Sequence, residues 1–150
     1  MRPTAIKKLA TEWIKLLRLQ DYDINFYLKS ADCMLADTGN SCFGYCSSST
    51  VHVQADICIL FPKEKAWMAE GVIGFPEDEP LERRVERVIV HELVHIYFEA
   101  ARTGETIITE ETSVVRLTDA LMKLKYTSAP IEKVRAKRKT KKPIKRRTKK

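Results

Sequence analysis

No stretch of the 150 residues approaches the ~18 consecutive apolar side chains that a membrane span requires, so none is expected. Residues Met1 to Lys8 contain neither an uninterrupted apolar core of the secretory kind nor a glycine after the methionine for acylation. A cytoplasmic location is the expectation. The four cysteines, Cys33, Cys42, Cys46 and Cys58, form no C-x-x-C pair, which removes zinc-ribbon and thioredoxin-like readings. Outside a secretory context they are expected to be reduced thiols. No internal repeat is present, and solenoid architectures go with it.

Acidic and aromatic residues are missing from residues 135–150, which hold eleven Lys/Arg. The net charge of +7 therefore conceals a mildly acidic remainder, with 16 basic against 20 acidic side chains, and a strongly basic end. Such an end buries too little apolar surface to fold, and self-repulsion extends it. Its expected partner is nucleic acid, bound non-specifically through phosphates. The alternatives are an anionic membrane surface or a merely solubilising terminus. Without aromatic residues it has little with which to stack on bases. The expected division is a folded domain over 1–130 and a basic, disordered tail over 131–150.

What is present in the folded part alternates between helix and strand patterns. Ile6, Leu9, Ala10, Trp13, Ile14 and Leu17 recur at helical spacing and predict an amphipathic helix over 4–19. Tyr22, Ile24, Phe26 and Leu28 alternate with polar residues, as in a half-buried strand. Residues 30–41 read as a loop, with Thr38-Gly39-Asn40-Ser41 as turn chemistry. A second strand is expected from Cys42 to Cys46, and a third over 51–61 until Pro62 stops it. Pro80 suits the first turn of a long helix with an apolar stripe from Leu81 through Ile96, ending near Arg102–Gly104. Thr109 is the expected N-cap of a final helix whose apolar side carries Val114, Leu117, Leu121 and Leu124, with Pro130 as its bound.

The long helix contains His91-Glu92-Leu93-Val94-His95. Histidines at i and i+4 project from one face and reach a single ion, and neutral imidazole nitrogen is a good zinc ligand. Glu92 points about 100° around the helix, where it reaches a zinc-bound water without ligating the metal. That is the arrangement of a hydrolase, because zinc brings the pKa of water to about 7 and a carboxylate takes the proton. Burying these residues on so apolar a helix is costly unless they have partners. Zinc requires a third protein ligand and an open position. The only other histidine, His52, lies on an upstream strand, and Phe98 and Ala101 stand where a metzincin would have glycine and histidine. A carboxylate is therefore expected, and Glu110 and Glu111 are the candidates. Helix geometry separates the two by about 100°, so only one should face the ion.

H-E-x-x-H followed by a glutamate-bearing helix resembles the gluzincin metallopeptidases. The opening helix with its tryptophan, the Leu19-x-x-Tyr22-x-Ile24 segment and the acidic pair before an apolar helix are similar to minimal, minigluzincin-like zincins of bacteria and phages. The resemblance covers about residues 5–126. It implies an α+β, zincin-like fold, with a small twisted sheet of about three strands packed on the active-site helix. An N-terminal helix and a C-terminal glutamate helix complete it. It implies Glu111 as third ligand, from its spacing to Val114, leaving Glu110 to cap or brace the helix start. It also implies a peptide substrate held against an edge strand, for which 51–61 is the candidate. Two departures stand out. Val115 occupies the position of an aspartate that orients a ligand in many gluzincins, and only Tyr97, Arg116 and Tyr126 offer themselves as oxyanion stabilisers. The function expected is zinc-dependent peptide hydrolysis with Glu92 as base. The alternative is a non-catalytic or narrowly specific zincin-like regulator that the tail directs to nucleic acid.

Overall fold

A computed structural model describes residues 1–49, 51–63, 67, 75, 79–101 and 107–139. In chain order the elements are α1 (Pro3–Leu16), β1 (Asp23–Lys29), α2 (Ala31–Thr38), β2 (Gly44–Ser49), β3 (Gln54–Leu60), α3 (Leu81–Ala101) and α4 (Ile107–Lys139). The fold is a small α+β arrangement of four helices and a three-stranded mixed sheet, counted among the described residues. No helix among them is long and apolar enough to cross a membrane.

Pro3 opens α1, where its fixed φ suits the first turn, and Ile6, Ala10 and Trp13 form its buried stripe. The helix stops at Leu16, sooner than the periodicity suggests, because Arg18 takes a left-handed conformation with φ 55°. Leu19 then buries as part of the turn into β1. Residues 30–41 are not all loop. Ser30 caps α2 by accepting a hydrogen bond from the Cys33 amide, and Gly39 ends it at φ 72°, a conformation that glycine adopts without strain. Met34 is the one buried side chain of α2, too little for an apolar period to show.

The strand order is β1-β3-β2, with β1 parallel and β2 antiparallel to β3. The strand expected at the edge is therefore the centre of the sheet, and β2 is an edge. Four consecutive side chains, Ile57, Cys58, Ile59 and Leu60, are buried, as in a strand covered on both faces. Val51 and Val53, counted with the strand from the alternation, lie in the exposed turn that precedes it.

Helix α3 is the centre of the molecule. It packs against β2 and β3 and also against α1 and α4. Val85, Ile89, Val90, Leu93, Val94 and Ile96 are essentially inaccessible and cover about half of the helix circumference. Glu86 is buried among them, and its carboxylate joins three helices. Trp13 Nε1 of α1 donates to it at 2.7 Å, Lys125 Nζ of α4 at 2.5 Å, and the Tyr126 hydroxyl also donates to it. Burial alone would raise this carboxyl group, but the Lys125, Tyr126 and Trp13 hydrogen bonds hold it below the ordinary carboxylate range.

Helix α4 differs from expectation in three ways. Its described start is Ile107, so Thr109 lies inside the first turn and is not the cap. Its buried face is Glu110, Val114, Thr118 and Met122 at a spacing of four, while Leu117 and Leu124 are exposed. That face suits a helix whose main packing partner is α3. The helix also continues through Pro130 to Lys139. Proline there removes one main-chain hydrogen bond and does not end the helix. The part of the basic tail over 140–150 lies outside the described residues.

Candidate metal centre

His91 and His95 stand one turn apart on α3, where β2 and the first turn of α4 converge on it. Their rings meet edge to face, and the two Nε2 atoms are 3.2 Å apart. Glu111 closes the group from α4. One of its oxygens lies 3.1 Å from His91 Nε2 and the other 3.4 Å from His95 Nε2. Among the described residues this is the one set of His, Cys, Asp and Glu side chains spaced to hold an ion. Zinc bonds of ~2.0–2.1 Å in a tetrahedral site put neighbouring donor atoms about 3.3–3.4 Å apart. The observed 3.1–3.4 Å separations match that edge, and two imidazoles with a carboxylate are a donor set that suits zinc.

The surroundings prepare these donors. Nδ1 of His95 is 3.2 Å from Glu110 Oε1. An ionised carboxylate only accepts, so this contact puts the imidazole proton on Nδ1 and leaves the Nε2 lone pair facing His91 and Glu111. Glu110 thus holds the His95 ring by its Nδ1 side, from the neighbouring helix α4. Burial pulls the His91 pKa below the ordinary imidazole value, with the neighbouring His95 acting the same way against the attraction of Glu111. The lowered value favours the neutral imidazole, the form in which a histidine can coordinate a metal.

Glu92 follows His91 and is buried against β2, with its carboxyl raised to about 8 by desolvation and by the negative charge of Glu111. The contact is close because residue 44 is glycine. A Cβ there would stand 2.6 Å from Val88 Cγ1 and 2.7 Å from Glu92 Oε1. A bulkier residue at 44 would push the strand or the carboxylate away. Gly44 carries no local signal in the sequence, since its necessity arises only when the strand is laid over α3.

Two clefts share Gly44, His91, Glu92 and Glu111 in their walls. One, of about 490 Å³, runs along Tyr45, Cys46, Ser47 and Ser48 of β2 toward Glu99. The other, of about 410 Å³, is bounded by Phe43, Phe75, Val88 and Val115. Cys42 and Cys46 border them as protonated thiols, both raised by burial, Cys46 to about 12. All four cysteines are free. His52 is exposed in the turn between β2 and β3 and borders neither cleft. The three suggested oxyanion stabilisers do not reach the clefts either. The Tyr126 hydroxyl is committed to Glu86, and Tyr97 and Arg116 point to solvent. The guanidinium that does border a cleft, Arg87, is held by both oxygens of Glu79 and by Asp119.

No family model, no curated protein and no solved structure matches this chain. The functional reading therefore rests on the site.

Proposed function

We propose that this chain is a zinc-dependent peptidase of zincin-like, minimal gluzincin type, with His91, His95 and Glu111 as metal ligands and Glu92 as general base. The observation that carries the reading is the convergence of two Nε2 atoms and a carboxylate at 3.1–3.4 Å, with a buried glutamate one residue past the first histidine. A structural zinc site closes its tetrahedron with four protein ligands, whereas three with an adjoining cleft leave room for chemistry.

Zinc held there would polarise a carbonyl and bring the pKa of water near 7. The charge of the ion would also favour the carboxylate form of Glu92, which would then take the proton of the attacking water and return it to the leaving amine as the C–N bond breaks. Glu110 keeps His95 in the ligating tautomer. Strand β2 borders both clefts as an edge of the sheet, so an extended peptide adds to it through main-chain hydrogen bonds and lies across Glu92. This role passes to β2 from the central strand β3.

Glu92→Gln tests the proposal. The amide is nearly isosteric and is not a ligand, so the variant should keep one zinc per chain. Casein hydrolysis by the zinc-loaded protein should fall at least ~10²-fold. Equal turnover by a clean preparation of the variant would remove Glu92 from the mechanism.

A second reading is favoured by one feature of α4. The helix that supplies Glu111 runs unbroken to Lys139, at the start of the basic run, so the metal centre and the polycation share one element. A regulator confined to proteins bound on nucleic acid fits that connection. It differs from a general peptidase in sparing unfolded casein.

A further inference from the structure

Helix α4 carries a second set of charges, apart from the metal-binding group. Arg116 and Lys123 are exposed on it, about two turns from one another. Arg83, in the first turn of α3, joins them. Its guanidinium lies over the ring of Tyr126, 4.1 Å from the centroid, and Tyr126 is about one turn along α4 from Lys123. The ring is held in place, because its hydroxyl donates to the buried Glu86. Arg116, Lys123 and Tyr126 fall within about 80° of the helix circumference. Arg83, Arg116 and Lys123 form no ion pair among the described residues. The acid between Arg116 and Lys123, Asp119, is engaged by Arg87. Past Tyr126 the helix continues to Lys139, about 20 Å at 1.5 Å per residue, and residues 133–139 add five Lys/Arg.

From this we infer that the folded domain itself binds double-stranded DNA, through phosphate contacts of Arg83, Arg116 and Lys123 that continue the basic end of α4. A guanidinium lying flat on a ring keeps its edge donors for phosphate oxygens, which its planar fork matches. A row of charges on a rigid helix suits the regularly spaced phosphates of a duplex. The ~12 Å major groove of B-DNA admits a helix, whereas the deep, narrow groove of A-form RNA does not. Arg116 lies about 140° round α4 from Glu111, so DNA on this side leaves the metal group open. The inference goes beyond the hydrolase reading and does not depend on it, since DNA binding needs no turnover.

The test measures binding of a duplex of about 20 base pairs to the full chain between ~50 and ~200 mM salt. Arg83→Gln should reduce the slope of log affinity against log salt by about 1. The pair Arg116→Gln with Lys123→Gln should reduce it by about 2, with about 5–10-fold of affinity lost per residue near ~100 mM salt. The three side chains are exposed, so Tm and zinc content should hold. Lys7→Gln with Lys8→Gln removes as much charge from the exposed side of α1 and should leave the slope unchanged. An unchanged slope in Arg83→Gln or in the α4 pair, or an equal loss in the α1 pair, would overturn the site. Phosphatidylserine-containing vesicles and an RNA duplex of the same sequence complete the comparison. Tighter binding of either than of the DNA, with the same dependence on Arg83, would give the surface to that partner instead.

Discussion

Glu110 and Glu111 are neighbours on α4 that touch the same histidine at opposite nitrogens, Glu110 at Nδ1 of His95 and Glu111 at Nε2. A carboxylate at Nε2 shares the ion's side of the ring, while one at Nδ1 fixes the ring and its tautomer. Glu111→Ala should therefore lose zinc affinity by orders of magnitude. Glu110→Ala should lose about 10–100-fold, the usual cost of removing a group that orients a ligand. Competition against a chromophoric chelator measures both. The reverse ranking would give the ligand role to Glu110.

Gly44 supports a second prediction. In Gly44→Ala the new methyl meets Val88 Cγ1 and Glu92 Oε1 inside 3 Å. Overpacking of that kind costs about 1–3 kcal/mol. The effect on turnover should be larger than this suggests, because a base displaced by ~1 Å loses about 10²-fold. The histidines and Glu111 are not in the clash, so zinc content should be unchanged. A Gly44→Ala protein with normal casein hydrolysis would show that β2 does not position Glu92.

These two sites mark how far the sequence could be read. The pairing of His91, Glu92 and His95 is a local consequence of helix geometry and was legible at once. The preference for Glu111 came only from a family spacing, because which glutamate lies beside the two Nε2 atoms depends on how α4 lies on α3. The close approach at Gly44 and the contact of Glu110 with His95 depend on segments distant in sequence. The order of the sheet was misread because residues 51–61 alternate like a half-buried strand. The run Ile57-Cys58-Ile59-Leu60 was the contrary signal, since four consecutive apolar side chains suit a strand covered on both faces over that stretch. On α4, counting leucines picked Leu117 and Leu124, whereas packing chose a line of four-residue steps that includes Glu110 and Thr118.

Stability should depend on Glu86 more than on any surface ion pair. Glu86→Ala leaves the buried Trp13 Nε1 without its acceptor and removes a charge that Lys125 and Tyr126 share, a loss of about 3 kcal/mol. For a chain of this size that is a drop in Tm of about 10 °C. The pH dependence has a definite sign. The folded carboxyl titrates below its unfolded value, so its contribution is complete above the ordinary carboxylate range and is lost as pH falls through the lowered pKa. Thermal scans from pH 7 downward should show a steeper loss for the wild-type chain than for Glu86→Gln. Parallel curves would mean that Glu86 is not ionised in the fold.

The last prediction concerns the basic end. Helix α4 carries the basic residues away from Glu111, which lies about 42 Å from Lys139 at 1.5 Å per residue. Truncation after Pro130 removes no member of the His91, His95 and Glu111 group and no residue of the buried core, so zinc content, casein hydrolysis and Tm should stay close to those of the full chain. It should remove most binding to duplex DNA, because residues 135–150 concentrate eleven of the 27 Lys/Arg. In the full chain that binding should fall by about 10³-fold or more between 50 and 200 mM salt, as expected when several phosphate contacts release counterions. Equal DNA binding by the truncated chain, or binding indifferent to salt, would remove nucleic acid from the partners. Faster casein hydrolysis after truncation, seen only at high protein concentration, would show that the end of one molecule occupies the cleft of another.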